Sequence, residues 1–226
     1  MRIGYPCVNL SLECSGSRTF RLASYTSKRL VETVEENLDC LQKILEFNKG
    51  NNLLFFRLAS GLVPFASHPT NTYPWQEHFK NRFREIGDFI KENNMRVFIH
   101  PGCFTIINSI DENIFQRSVA NLEYHADVLN LMGLSSEAKI QIHIGGVYKN
   151  KFESMQRFAR RFLKLPFKVA RRLAIENDER FFTLVDCLLI SRDTGIPVIM
   201  DYFHHELNNT GEELTDVFSL VRDTWR

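Results

Sequence analysis

Apolar residues along this chain fall into two rhythms that alternate from one end to the other. Short, nearly uninterrupted runs occupy Ile3–Val8, Leu53–Leu58, Arg96–His100, Lys139–Ile144, Arg172–Glu176 and Pro197–Asp201. They are rich in Val, Ile, Leu and Phe and bounded by polar segments, so they predict strands covered on both faces. The segments between them carry helical spacing. Leu30, Val34, Leu38, Leu41 and Leu45 line one helix face, with Asp39 and Lys43 spaced for an i,i+4 ion pair. Phe79, Phe83, Ile86 and Ile90 line a second, and Leu122, Ala126 and Leu129 a third. Helices are also predicted over Phe152–Leu163, Arg180–Ser191 and Glu212–Trp225.

Six strand–helix units in series imply a parallel sheet with right-handed crossovers. The first strand leads into Tyr5-Pro6-Cys7 where a dinucleotide-binding fold would carry GxGxxG, so a barrel is preferred to a Rossmann sheet. A full (β/α) barrel has eight such units. The expected fold is therefore α/β, a TIM barrel lacking its last two βα units, as one C-terminally incomplete domain over residues 1–226.

Composition agrees with a globular protein: 44% of residues are hydrophobic and 24% charged. No apolar run is long enough for a membrane span, and the strand-like start leaves no room for a secretory signal. The five cysteines contain no CxxC pair and are odd in number, which points to reduced thiols and a cytoplasmic setting, at the nucleoid if the source is prokaryotic. Net charge is +1, but Lys149–Arg172 alone is +8, with nine Lys or Arg against Glu153, on a body of −7. Such a belt suits nucleic acid or phosphate, and equally a solvated helix face paired with acids elsewhere.

In parallel α/β folds chemistry gathers at the C-terminal ends of strands. Read there, the chain offers Tyr5 and Asn9, Arg57 and His68, His100, His143, Glu176, and Asp201 with His204. A single strand-end histidine is commonly structural. A carboxylate closing an apolar strand, as Glu176 and Asp201 both do, is costly to bury without a cation or donors. Imidazoles and carboxylates converging at one mouth suit Zn²⁺, Mn²⁺ or Fe²⁺, with Glu176 placed to bridge two ions. His205 reads as a supporting or surface group, and His78 and His125, within helices, as exposed. Gly145-Gly146 lets the backbone approach closely or admits a phosphate.

The motifs RIGYPCVN (2–9), FRLASGLVPFASH (56–68), FIHPGCF (98–104), IHIGGVYKNK (142–151), LAIENDE (173–179) and MDYFHHELNN (200–209) occur in one order over nearly the whole chain. Together they resemble the UV damage endonuclease family, TIM barrels related to endonuclease IV. The resemblance implies a DNA repair endonuclease that nicks damaged double-stranded DNA 5′ of UV photoproducts at a divalent metal cluster, most often Mn²⁺, with Zn²⁺ as the alternative. It implies metal ligation by His100, His143, Glu176, Asp201 and His204, and catalytic roles for His68, His143 and Glu176. It implies DNA contacts from Tyr5, Asn9, Cys103, Phe104, Lys149 and Lys151.

The chain departs from the family pattern in three places. Cys103-Phe104 stands where Gln and an aromatic usually wedge into the duplex, and Lys149-Asn150 replaces the usual Gly-Asp. The family's later metal histidines, final glutamate and active-site lysine have no counterpart, so the trinuclear site is expected to be incomplete. The rival readings are a metal-dependent sugar isomerase or epimerase, and a non-catalytic fragment that binds damaged DNA.

Overall fold

The computed structural model describes residues 2–225; Met1 and Arg226, the ends of the expected 1–226 domain, lie outside the described residues. The chain divides into two units, Met1–His100 with Glu123–Lys139, and Pro101–Leu122 with Ile140–Arg226. All six expected strands form, each shortened at one end or both.

In the first unit, β1 (Gly4–Pro6), β2 (Phe55–Leu58) and β3 (Arg96–Ile99) run parallel in sequence order. α1 (Ser27–Gly50) follows β1. Thr26 caps it by accepting from the Arg29 N–H, and its predicted stripe from Leu30 to Leu45 is buried. α2 (Trp75–His78) is a single turn missed by periodicity, and α3 (Lys80–Glu92) buries Phe83, Ile86 and Ile90. α4 (Glu112–Leu131) carries the chain from the second unit back to the first. Gly87 of α3 lies so close to the Met132 carbonyl that a Cβ would sit 1.7 Å from its oxygen. Only glycine fits there.

Three expectations change in this unit. Asp39 pairs across to Arg82 of α3 at 2.8 Å, not along its own helix to Lys43. Cys14 and Cys40 are joined in a disulfide, so an odd cysteine count did not mean uniformly reduced thiols. The reason is local packing. Buried Asn37 of α1 accepts from the Arg18 N–H and donates to the Arg18 and Leu62 carbonyls, which lays the segment after β1 against the helix bearing Cys40. His125, expected to be exposed, is 1% exposed beside the Tyr124 ring, and burial pushes its pKa down to about 3.

In the second unit, β4 (Ile140–His143), β5 (Leu173–Glu176) and β6 (Val198–Ile199) also run parallel in sequence order. α5 (Lys151–Phe162) is capped by Asn150, and the short α6 (Phe167–Ala170) precedes β5. α7 (Leu184–Thr194) begins later than the predicted Arg180. Asp178 holds the N–H groups of Arg180, Phe181 and Phe182, and Thr183 with Asp186 forms a capping box that starts the helix. α8 (Tyr202–Leu207) and α9 (Leu214–Asp223) complete the unit. No helix among the described residues is long and apolar enough to cross a membrane.

The basic belt belongs to this unit and is not one solvated face. Arg172 is fully buried, and desolvation draws its pKa down to about 10. Arg157 donates to the Asn108 carbonyl, and Arg161 to the carbonyls of Ile107 and Ser109 and to Glu112. Those two arginines hold residues 107–112 in place. Lys149, Arg160, Lys164 and Arg171 remain exposed.

Candidate metal centre

Strand register builds the core of the site. His143 ends β4 and Glu176 ends β5, and the two are direct partners in the parallel ladder. Partners in a ladder project to the same face, so His143 Nε2 comes 3.3 Å from Glu176 Oε1. Glu176 is 2% exposed, held on a strand buried along its whole length. Asp201 follows β6 and caps α8, accepting from the His204 N–H at 2.9 Å through Oδ1. That turn brings the His204 ring back over the strand ends. His204 Nδ1 lies 3.6 Å from Glu176 Oε1 and 3.8 Å from Asp201 Oδ2, and the His143 and His204 ring centres are 5.5 Å apart.

Glu176, Asp201 and His204 each offer a ligand atom within 4.8 Å of the others. With His143 beside Glu176, two carboxylates and two imidazoles form a donor set that suits a divalent ion of Mn²⁺ or Zn²⁺ type. A cation would also offset the repulsion of two close carboxylates.

The support around these four residues was not read from the sequence. The fully buried Asn177 donates to the Asp201 carbonyl and accepts from the Asp201 N–H, at 3.0 and 2.9 Å. The Asn177 carbonyl lies 3.0 Å from His204 Nδ1. Asn208 donates to the Asp178 carbonyl at 2.9 Å, and Glu179 Oε2 lies 3.9 Å from His204 Nε2. The turn-forming Asn-Asp of LAIENDE was the available signal for this brace. His205, read as supporting or surface, is buried at 3% exposure and is therefore no surface group.

The other expected site residues fall as follows. His100 sits half-buried just after β3 in the first unit. In the same unit Asn9 donates to the Tyr5 hydroxyl, which donates to Asn48 Oδ1 at 2.6 Å; partial burial raises the Tyr5 pKa, so the phenol stays protonated. His68 is exposed and accepts from the Thr70 N–H. In the second unit Cys103 and Phe104 are both exposed, Phe104 at 68%. The Phe104 ring lies against Gly102, where a Cβ would stand 2.4 Å from it. Lys149 is exposed, whereas Lys151 is ion-paired to Asp186 at 2.6 Å.

Parallel strands, intervening helices and these donors define a (β/α) protein with a candidate metal centre at its strand ends. Comparison with known proteins narrows this class. A profile described as UV-endonuclease UvdE matches residues 1–226. A UV DNA damage endonuclease of Clostridium perfringens (strain 13 / Type A) is 39% identical over 226 residues, all of this chain and 55% of the relative. The chain thus spans about half the length of that curated relative. The crystal structure of SacUVDE superposes with a TM-score of 0.97 at 46% identity, covering all of this chain and 78% of that one. Endonuclease IV from Thermus thermophilus shares the barrel fold at 17% identity and a TM-score of 0.57, over 80% of this chain and 66% of its own. This chain belongs to the UV-endonuclease UvdE family.

Proposed function

We propose that this chain is a DNA repair endonuclease that hydrolyses a phosphodiester of UV-damaged double-stranded DNA, 5′ of the photoproduct, with a divalent cation at the strand-end site. The observation that carries the reading is the grouping of His143, Glu176, Asp201 and His204 on consecutive strand ends, in a chain of this family. His100, the strand-end histidine of β3, is assigned as a further ligand on the family resemblance. Mn²⁺ is the assigned ion. Bound there, such an ion supplies Lewis-acid polarisation of the phosphate and a water acidic enough to ionise near neutral pH.

The chain's own residues do the remaining work. Glu176, fixed on a buried strand, and the braced Asp201–His204 turn present preset donors, so little reorganisation accompanies binding. Phe104 is exposed and is assigned to enter the stack beside the lesion, where weakened stacking lowers the cost of a kink. Cys103 beside it lacks the hydrogen bonds of an amide, which shifts lesion preference. Tyr5 and Asn9, locked to each other, are assigned to the strand opposite the damage, and His68 to the scissile phosphate. Lys149 is free to meet a phosphate, while Lys151 holds Asp186. The location that goes with this reading is the cytoplasm, at the nucleoid if the source is prokaryotic.

The test is nicking of UV-irradiated supercoiled plasmid. With Mn²⁺ the parent nicks irradiated plasmid and spares unirradiated plasmid, and EDTA or His143→Ala abolishes the activity. Equal nicking of both plasmids, or by both proteins, overturns the reading.

A further inference from the structure

The segment after β5 and the segment after β6 are joined into one rigid piece. Asn177 bonds to both backbone groups of Asp201, His204 Nδ1 to the Asn177 carbonyl, and Asn208 to the Asp178 carbonyl. Within it, the Asp178 carboxylate, 8% exposed, accepts from the N–H groups of Arg180, Phe181 and Phe182. Three such bonds to one carboxylate fix the loop's conformation. Two rings at the border of the metal-ligand cluster nonetheless stay in solvent. Phe181 is 47% exposed and Phe203 68%.

Their positions are set by the same bonds. Glu179 faces His204 Nε2 at 3.9 Å, so the residues following Glu179 and the residue preceding His204 flank one contact. Arg180 is exposed, lies 5.8 Å over the Phe181 ring, and forms no ion pair among the described residues. A rigid loop holding exposed aromatics and an unpaired guanidinium matches what single-stranded nucleic acid requires: π faces for bases and a cation for the backbone. A protein partner would more commonly meet a contiguous apolar patch, without a free cation at the edge of a metal site.

We infer that Arg180, Phe181 and Phe203 grip the DNA strand entering the metal site, with the rings stacking on unpaired bases and Arg180 holding a phosphate. The inference rests on the proposed function and adds three contact residues to it. None of the three touches the reacting atoms; their effect is on binding.

The experiment measures binding by fluorescence anisotropy in EDTA, so that incision does not intervene. The probe is a labelled duplex with a single cyclobutane thymine dimer, titrated over a range of salt. Phe181→Ala and Phe203→Ala should each weaken binding about tenfold, as loss of one stacked base does. Phe203→Trp should restore it and Phe203→Leu should not. Arg180→Gln should lower the slope of log affinity against log salt by about one, and Arg180→Lys should keep it. Mn²⁺ affinity, read by water-proton relaxation, should be unchanged in all of these variants. Variants that bind with the parent's affinity and salt slope overturn the inference while the parent's damage-dependent nicking stands. A parallel loss of Mn²⁺ affinity also overturns it, by reducing the three residues to structural support. A parent that does not prefer the dimer duplex removes the proposed function, and this inference with it.

Discussion

Glu176→Gln tests the metal centre without depending on catalysis. Glu176 Oε1 lies 3.3 Å from His143 and 3.6 Å from His204, so it is the carboxylate oxygen that both imidazoles face. The amide keeps the shape and removes the charge. With Mn²⁺ at about 100 times its dissociation constant, binding adds about 2.7 kcal/mol to the stability of the parent. Losing partners outside the ligand shell already costs roughly 10–100-fold in metal affinity, so loss of the shared carboxylate is set at about 100-fold. The linkage gain then falls to about 0.4 kcal/mol. At roughly 2–4 °C per kcal/mol for a chain of this size, the Mn²⁺-induced rise in Tm should drop from about 5–10 °C to about 1 °C. In EDTA the variant should melt no lower than the parent, because its neutral amide no longer faces Asp201 as a second negative charge. Differential scanning fluorimetry with and without Mn²⁺ reads both quantities. A variant that keeps the parent's Mn²⁺ shift refutes the assignment, and one that melts far lower in EDTA makes Glu176 a structural residue.

Two further outcomes follow from groups around the site and in the core. Asn177→Ala removes both hydrogen bonds to the Asp201 backbone and should cost about 2 kcal/mol with a weakened Mn²⁺ response; an unchanged Tm and metal response would refute the brace. His125, held at a pKa of about 3 by burial with Nδ1 unpartnered, stays neutral in the folded chain while the unfolded chain takes up a proton below pH 6.5. Its contribution is therefore intact above about pH 6.5 and is lost at about 1.4 kcal/mol per pH unit as pH falls towards 3, or about 2 kcal/mol at pH 5. Urea midpoints between pH 7 and pH 5 should fall less steeply for His125→Phe than for the parent, and parallel curves would sink the account.

Strand positions were legible because a doubly covered strand must be apolar along its length, and Ile140, Ile142, Leu173 and Ile175 meet that demand without ambiguity. Helix starts were less so. Arg180 to Phe182 have helical composition, yet Asp178 claims their N–H groups before a helix can form, and the capping box at Thr183 wins. Single-turn helices such as Trp75–His78 are shorter than any period and leave no trace in spacing. The Cys14–Cys40 disulfide depends on Asn37 docking a distant segment, which no cysteine count encodes.

The grouping of the candidate ligands was legible for a different reason. Reading the polar residue at each strand end is a physical operation: parallel neighbours in register bring consecutive strand-end side chains together, as His143 and Glu176 show. The charge belt misled because a count of cations carries no direction. Arg172 is buried, and Arg157 and Arg161 bond to the carbonyls of Asn108, Ile107 and Ser109, so much of the +8 supports the fold. Arg180, which forms no ion pair among the described residues and lies near the candidate metal ligands, is outside the belt altogether. If electrostatic attraction to DNA depended on net charge alone, Lys164→Gln and Arg180→Gln would weaken binding alike. The proposed contacts separate them: a charge in the turn after α5 acts through a screened field, whereas Arg180 is held by its loop near the candidate metal ligands.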